Sequence, residues 1–576
     1  MPLHVTVLKE VPEDPQLATS WNTLVTRMER PEVFYTYQWA FAACRAFRDK
    51  LQSSLYLVYE GTELCGIVAL ASLFSLPSTA FFLTASTADY CDVISAPFMR
   101  QSVLSAVFEE LRRQEVQAVT LANLPQSSET LSPLRAIAAA SHFYLHERPA
   151  YECGQILLGN ETDRQTLLQA IRRKDREKRG LKRMAQMGKV LLSNVNGAAI
   201  APELQAIFSA QIARFLATGR VSPLVRPERR LFLTELSRLL AETGWLRISR
   251  LQIGELGVAW NLGFQFCHNW LWYLPTFETR YQDLSPGSCL LRLLTEEAAA
   301  DASVQRLDLG LGGEAYKERF ANDVFSTSHV ELTSSLIQKG RIAARHQMIS
   351  GVRSLKIEEP VGRARDFIRR LRKHVRTKGL PKTAACGLHK VAQMAASHDE
   401  VYLFEAPPMK ALPDSSSLLT SLDWKHLSDA AIRNADDEET LTYLMRCATR
   451  MKESSASGFL LQSSDSHAVH FLWFGSYDGF HLSELDYTLP SSDPDAAMIF
   501  DCWTPAADRG HGYYAEAIRL AASRLQDDGR KVWIFSAAEN ASSIRGIAKA
   551  GFQKRYSLIR RKRLRSSTVV RVPATL

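Results

Sequence analysis

At 576 residues the chain is too long for a single core, and its length fits about three to four domains. With 46% hydrophobic and 23% charged residues it falls outside the disordered, collagenous and low-complexity classes. Nine cysteines without one C-x-x-C pair argue against a disulfide framework or a cysteine-built zinc site, and they fit a reducing compartment such as the cytoplasm.

The opening "MPLHVTVLKEVPED" contains no apolar run of the kind a secretory signal carries. The first long apolar stretch, Leu64 to Ala88, has no charge over 25 residues, enough to cross a bilayer. Ser72, Ser75, Pro77, Ser78 and Thr79 interrupt it around a Ser-Leu-Pro-Ser turn, so it reads as two buried strands. Further on, Leu167, Leu168, Ile171, Leu181 and Met184 form an apolar stripe on a predicted helix. Its other face carries Arg172, Arg173, Lys174, Arg176, Lys178, Arg179, Lys182 and Arg183. That basic face is solvated surface in the plain reading; it also suits a pyrophosphate, a tRNA acceptor stem or an anionic glycan precursor.

"NWLWYLPTF" then reads as an aromatic strand, Leu284 to Ser288 as a turn, and "CLLRLLTEEAAA" as a helix. In "DLGLGGEAYKERF", Asp308 precedes a glycine-rich turn, and Glu314, Tyr316 and Lys317 occupy a short helical stretch. Asp308 or Glu314 could accept a proton from an attacking amine, and Lys317 could hold an acidic group. The alternative is a loop whose charges are merely solvated.

The net charge of +9 is concentrated in one place. From Lys339 to Lys390 there are 15 Lys/Arg against 3 Asp/Glu, so the rest of the chain carries a small negative balance. Phe367, Ile368, Leu371 and Val375 recur there at helical spacing among Arg369, Arg370, Arg372 and Lys373, which predicts a basic amphipathic helix. Either the segment is a solvated connector, or it meets inner-leaflet lipid or nucleic acid.

Beyond it come a strand "VYLFEA" and a helix "ETLTYLMRCATRM". The aromatic, alternating segments "GFLLQ", "HAVHFLWFGSYDGFHLSELDYTL" and "AAMIFDCW" read as an antiparallel meander. The turn Arg509-Gly510-His511-Gly512 follows, then a helix from about Tyr513 to Leu525, a strand "KVWIFSA", a helix from near Asn540 and a last strand around "YSLIRRKRL". A strand ending in a glycine turn that opens a helix offers free N–H groups and the positive helix end to an anion, and Arg509 adds a cation. A bare strand-to-helix turn is the competing reading. His481 and Glu484, three apart on an alternating strand, point to opposite faces, and no metal site is expected. Cys502 reads as a core cysteine. P-loop, H-E-x-x-H, G-x-S-x-G and complete G-x-G-x-x-G motifs do not occur.

Arg509-Gly-His-Gly512, the following helix and strand, Asn540-Ala-Ser-Ser543 and "KAGF" together resemble the GNAT acyl-CoA N-acyltransferase family over about residues 430–560. In that family a Q/R-x-x-G-x-G/A turn holds the pyrophosphate of coenzyme A. Arg509 and Gly512 match it, and Tyr514 stands where the family has Gly or Ala. The resemblance implies Arg509, Gly510, His511, Gly512, Asn540 and Ser543 as contacts to acetyl-CoA or a longer acyl-CoA. Direct attack by an amine then needs a base, for which Glu484 and Asp501 are candidates, and an acid, for which Tyr556 is one.

A second resemblance spans residues 15–335. "DYCDVIS" (Asp89 to Ser95), "IRRKDREKRGLKRMAQMGKV", "FCHNWLWYLPTFETRYQDLSPGSCLLRLLTEEA" and "LDLGLGGEAYKERFAND" occur in the order of the CelD-type acetyltransferase group, which is related to Fem-type aminoacyl transferases. It implies two GNAT-like units, the first degenerate and the second carrying the site, with the motif of Asp308, Glu314 and Lys317 closing the active-site face.

The expected fold is therefore α+β, with three GNAT-like units of mixed sheets flanked by helices. The expected boundaries are 1–155, 156–335, a basic connector 336–398, and 399–576. The expected activity is that of a cytoplasmic, bacterial-type N-acyltransferase moving an acyl group from CoA to a primary amine of a small molecule, lipid or glycan, in envelope or polysaccharide metabolism. Residues 339–390 would lie against the inner membrane face. Two rivals stand beside it: an aminoacyl-tRNA-dependent Fem-type transferase, and a non-catalytic accessory protein of cell-surface polysaccharide assembly.

Overall fold

The computed structural model describes residues 2–140, 143–340, 342, 344, 396–409, 418–453, 456–490, 493–563 and 566–574. Nearly all of the basic segment 339–390 falls outside them. The chain divides into two compact units, Met1–Arg214 with Pro223–Gly351, and Phe215–Ser222 with Val352–Leu576. Among the described residues no helix is long and apolar enough to cross a membrane.

In the first unit the strands are β1 (Leu3–Leu8), β2 (Leu51–Glu60), β3 (Glu63–Leu73), β4 (Leu76–Phe82), β5 (Ile94–Ser95), β6 (Ala118–Pro125) and β7 (Tyr144–Leu157). They continue with β8 (Val190–Val195), β9 (Leu246–Ile253), β10 (Leu256–Phe266), β11 (Asn269–Phe277), β12 (Arg306–Leu311) and β13 (Asp323–Thr333). All belong to one mixed sheet, ordered β1-β2-β3-β4-β6-β13-β7-β12-β11-β10-β9-β8, with β5 beside β3. The uncharged run Leu64 to Ala88 supplies β3 and β4, as its interrupting polar residues predict. Only the tip of that hairpin, Leu73, Phe74 and Leu76, leaves large apolar side chains exposed.

The basic amphipathic helix is not continuous. It breaks at Arg173 and Lys174 into Glu161–Arg172 and Asp175–Met187. Lys174 takes an extended ψ of 108°, and the acidic Asp175 and Glu177 suit the positive end of a new helix. Glu177 is fully buried and receives Arg319 at 3.2 Å, so this helix turns an anion inward as well as cations outward.

The second unit contains β14 (Ala396–Glu405), β15 (Leu419–Ser421), β16 (Ser457–Gln462), β17 (Ala468–Ser476), β18 (His481–Leu482), β19 (Tyr487–Thr488), β20 (Ala496–Trp503), β21 (Lys531–Ala537), β22 (Gln553–Arg563) and β23 (Ser566–Pro573). Its main sheet runs β15-β16-β17-β20-β21-β14-β22-β23, with β18 and β19 as a separate two-stranded ladder. The expected meander is thus shorter than the sequence suggests. After Ser476 the chain leaves the sheet, makes the small hairpin and rejoins at Ala496, so Glu484 sits in a turn and not on a strand. The strand "YSLIRRKRL" is followed by one more, β23, which pairs with it antiparallel.

Candidate active site

A strand, a connection, a helix and a parallel strand recur three times, with glycine at the turn in the last two. β4 and β6 flank the helix Arg100–Arg113, β11 and β12 flank Pro286–Ala300, and β20 and β21 flank Tyr513–Asp527. In each case the parallel strands pair over only three or four residues. β20 and β21 are joined from Ala496 with Lys531 to Ile499 with Ile534 and then part. Parallel strands that separate part-way expose backbone at the fork, and here it opens into a cleft of about 720 Å³. Phe500 to Thr504 line one wall, Ile534 to Ala537 the other, and Arg509, Gly510, Asn540 and Ser543 stand at the mouth.

β20 also carries a bulge at the fork. Against β17 its register runs Phe500 with Trp473 and Trp503 with Phe471, so Asp501 and Cys502 together oppose Leu472. Asp501 is left-handed, φ 46°, a conformation that Asp tolerates better than most side chains. Three contacts hold it there. Tyr443 donates to its carbonyl at 2.9 Å, Arg450 meets its carboxylate at 2.8 Å, and Arg446 does so at 3.5 Å. A carboxylate so paired anchors the bulge; Glu484, which lines the same cleft, accepts only the Ser483 hydroxyl and has no cationic partner among the described residues. Of the two candidate bases, Glu484 is the available one.

The glycine turn has the conformation its residues require. Gly510 and Gly512 have φ of 89° and 84°, and no side chain caps the helix that Gly512 opens, so the first-turn N–H groups remain free for a ligand. Arg509 lies over the Trp503 ring and donates to the Thr504 carbonyl at 3.1 Å, with about half of its side chain exposed. His511 and Gly512 shape this turn without lining the cleft. His511 stacks on Tyr513, and its Nδ1 lies 3.3 Å from the Asp508 carbonyl. Tyr514, where a small residue was expected, is accommodated by Gly546: a Cβ there would lie 2.4 Å from the Tyr514 ring. The Tyr514 hydroxyl reaches Ser543 Oγ at 3.0 Å, and Asn540 caps the helix Ala541–Lys549 by accepting from Ser543 N–H at 3.1 Å. Tyr556 is elsewhere, in the core beside Val401 and Leu403 with its hydroxyl 2.5 Å from that of Tyr477. Burial keeps its pKa well above that of a free tyrosine.

Two cleft residues have no signal in the motif. His470, fully buried on β17, has Nδ1 2.8 Å from Thr504 Oγ1 and no partner for Nε2 among the described residues; burial lowers its pKa to about 3, so it stays neutral. Cys502 also lines the cleft, and burial, with Asp501 adding, holds its thiol well above the usual range. It is no ready nucleophile.

In the first unit the fork of β11 and β12 ends at Leu271 with Asp308. Trp272, 1% exposed, occupies the position just beyond and donates to the Tyr316 hydroxyl at 3.2 Å. Asp308 is fully buried and accepts from Tyr90 at 2.8 Å, Arg30 at 3.1 Å and Gly310 N–H at 2.8 Å. Lys317 donates to the Leu311 carbonyl at 2.7 Å and pairs with the exposed Glu314 at 2.7 Å. Asp89 completes the group, accepting from Leu311 N–H at 3.4 Å. Burial first, and then the charge of Asp308, raise the Asp89 carboxyl to about 7 against the pull of Lys317.

Residues 171–318 match the family model described as an acetyltransferase (GNAT) domain. The first unit carries a GNAT-type domain. No curated protein matches the chain. Among solved structures, FemX is similar over 54% of this chain and 95% of its own, at 9% identity and a TM-score of 0.41. L-PGS from Bacillus licheniformis covers 60% of this chain and 98% of its own, at 9% identity and 0.37. A tandem GNAT protein from the clavulanic acid biosynthesis pathway covers 57% and 98%, at 12% and 0.35. These likenesses are too distant to carry substrate or mechanism.

The GNAT-type domain contains the β11–β12 fork, with Asp308 and Lys317 inside the matched residues and Asp89 outside them. A cation stands at its glycine turn, brought by the helix Asp175–Met187: Arg176 donates to Ser285 Oγ at 2.8 Å. Among the described residues no three His, Cys, Asp or Glu side chains gather in a way that could hold a metal.

Proposed function

We propose that the protein is an acyl-CoA-dependent N-acyltransferase whose donor site is the β20–β21 cleft. The observation that carries this reading is the coincidence, at one fork, of a backbone bulge, a cationic glycine turn and an uncapped helix end. Pyrophosphate sits on the free N–H groups of the helix with Arg509 beside it. The thioester lies along the parted strands, with its carbonyl toward the bulge, where a backbone N–H stabilises the developing oxyanion. Glu484 takes a proton from the amine, directly or through water. The acceptor nitrogen bonds to the acyl carbon, the C–S bond breaks, and CoA leaves as the thiol.

Arg509→Ala is expected to weaken acetyl-CoA binding tenfold to hundredfold, the worth of one charge-assisted hydrogen bond of about 1.5–3 kcal/mol. Gly512→Asp, which forces a side chain into φ 84° and adds negative charge at the turn, should weaken it at least as much. Calorimetry on the folded variants measures both; unchanged affinity in the two would remove the cleft as the donor site.

A second reading is favoured by the basic helix Asp175–Met187, whose Arg176 and Arg183 reach the turn before Pro286. There the GNAT-type domain would take its acyl group from aminoacyl-tRNA, the RNA phosphates lying on that face.

A further inference from the structure

A second cavity, of about 490 Å³, adjoins the donor cleft and shares Glu484, Phe500, Asp501 and Phe535 with it. The shared residues include Asp501 of the bulge, so a molecule held here lies beside the proposed donor cleft. The cavity's volume is that of a small-molecule site. Phe480, Phe500 and Phe535 form one wall, with Phe480 5.1 Å from the Phe500 ring and 5.8 Å from that of Phe535.

The charged lining is mixed. Arg446 and Arg450 face the cavity with Asp501 and Glu484. Asp501 is occupied chiefly by Arg450 at 2.8 Å, and Arg450 is further fixed over the Phe500 and Trp473 rings. Arg446 touches Asp501 only at 3.5 Å, lies over the Tyr443 ring, and is 54% exposed. One carboxylate cannot saturate two guanidinium forks, so most of the Arg446 donors are left for a ligand anion. Glu484 is the complementary group, an anion without a cationic partner among the described residues. A cavity with one available cation, one available anion and an aromatic wall fits a molecule that carries all three counterparts.

We infer that the acceptor is a free α-amino acid with an apolar or aromatic side chain, its carboxylate on Arg446, its amino group toward Glu484 and its side chain against the three phenylalanines. This rests on the acyltransferase reading of the adjoining cleft. The reaction balances without further reagents. The ammonium gives one proton to Glu484 and on to solvent, the neutral amine bonds to the acyl carbon, the C–S bond breaks, and the second amine proton ends on the CoA thiol. The product is an N-acyl amino acid.

The test titrates the full chain with L-phenylalanine, L-leucine, glycine and phenethylamine, with and without CoA, and separately with acetyl-CoA. L-phenylalanine and L-leucine are expected to bind at least tenfold more tightly than glycine, which lacks the side chain, or phenethylamine, which lacks the carboxylate. Arg446→Gln, at a half-exposed position, should weaken L-phenylalanine at least tenfold while leaving phenethylamine unchanged, with an unaltered thermal midpoint confirming the fold. Equal binding of phenethylamine and L-phenylalanine, indifference to Arg446→Gln, or no amino-acid binding overturns the inference. Acetyl-CoA binding without amino-acid binding sinks the acceptor alone. Amino-acid binding without acetyl-CoA binding sinks the donor reading and keeps the cavity assignment.

Discussion

Asp89 shows what a single half-buried carboxyl does to stability. Unfolded, it ionises near pH 4; folded, it holds its proton to about 7. Between those values the folded chain binds more protons than the unfolded one, so this group's contribution to stability falls as pH rises through the window and is flat above it. Asp89→Asn removes the slope. The difference in thermal midpoint between variant and parent should therefore grow in the variant's favour from pH 5 to pH 7.5, by several degrees; a difference independent of pH would mean that Asp89 titrates normally. At this scale the sequence was legible only where chemistry is local. Arg509 and Gly510 could be found because a strand, a turn and a helix follow one another directly, Asn540 and Ser543 were implied by the family resemblance, and all four line one cleft. The availability of Glu484 over Asp501 depends on Arg446 and Arg450, some fifty residues earlier, and the state of Asp89 depends on Asp308 and Lys317, more than two hundred residues later. No spacing encodes such meetings.

Elements were easier to read than their joins. The strand–turn–helix–strand passages around Ser285 and Gly512 are visible because apolar periodicity switches from two to 3.6 across a glycine turn. The break at Lys174 is not, since the apolar stripe continues through it, and the reason for Gly180 is not visible at all. A Cβ at Gly180 would lie 2.4 Å from the Leu284 carbonyl oxygen and 2.8 Å from Cys289 Sγ. The helix Asp175–Met187 therefore packs its backbone against the turn that starts Pro286–Ala300, and neither backbone can yield cheaply. Helix propensity favours alanine over glycine by about 1 kcal/mol. Overpacking costs typically 1–3 kcal/mol and should win, so Gly180→Ala is expected to lower the denaturation midpoint despite its better propensity. A raised midpoint would show that the helix can lift away from Leu284. Because Arg176 and Arg183 hang from this helix, the same variant should also disturb whatever anion the basic face holds.

For the molecule as a whole, the order of the first sheet was beyond the sequence. β13, the last described strand of its unit, inserts between β6 and β7, so a C-terminal strand pairs with two from the N-terminal half. Glu32 fastens the same halves, fully buried between Arg30 at 2.7 Å and Arg306 at 2.9 Å and accepting from Asn269 at 2.7 Å. The family match falls in this unit, whereas the cleft proposed as the donor site lies in the other. At the β11–β12 fork Trp272 is buried and donates to the Tyr316 hydroxyl, and Asp308 is saturated by Arg30, Tyr90 and Gly310. The full chain should accordingly bind one equivalent of acetyl-CoA, and Arg509→Ala should weaken that one site without exposing another. A stoichiometry of two, or one equivalent that survives both Arg509→Ala and Gly512→Asp, would mean that Trp272 swings out on binding, and would move the reaction to Asp308, Glu314 and Lys317. No binding of acetyl-CoA, together with tRNA binding that falls steeply with salt as counterion release requires, would pass the first unit to the aminoacyl-transfer reading and leave the β20–β21 cleft without a CoA role.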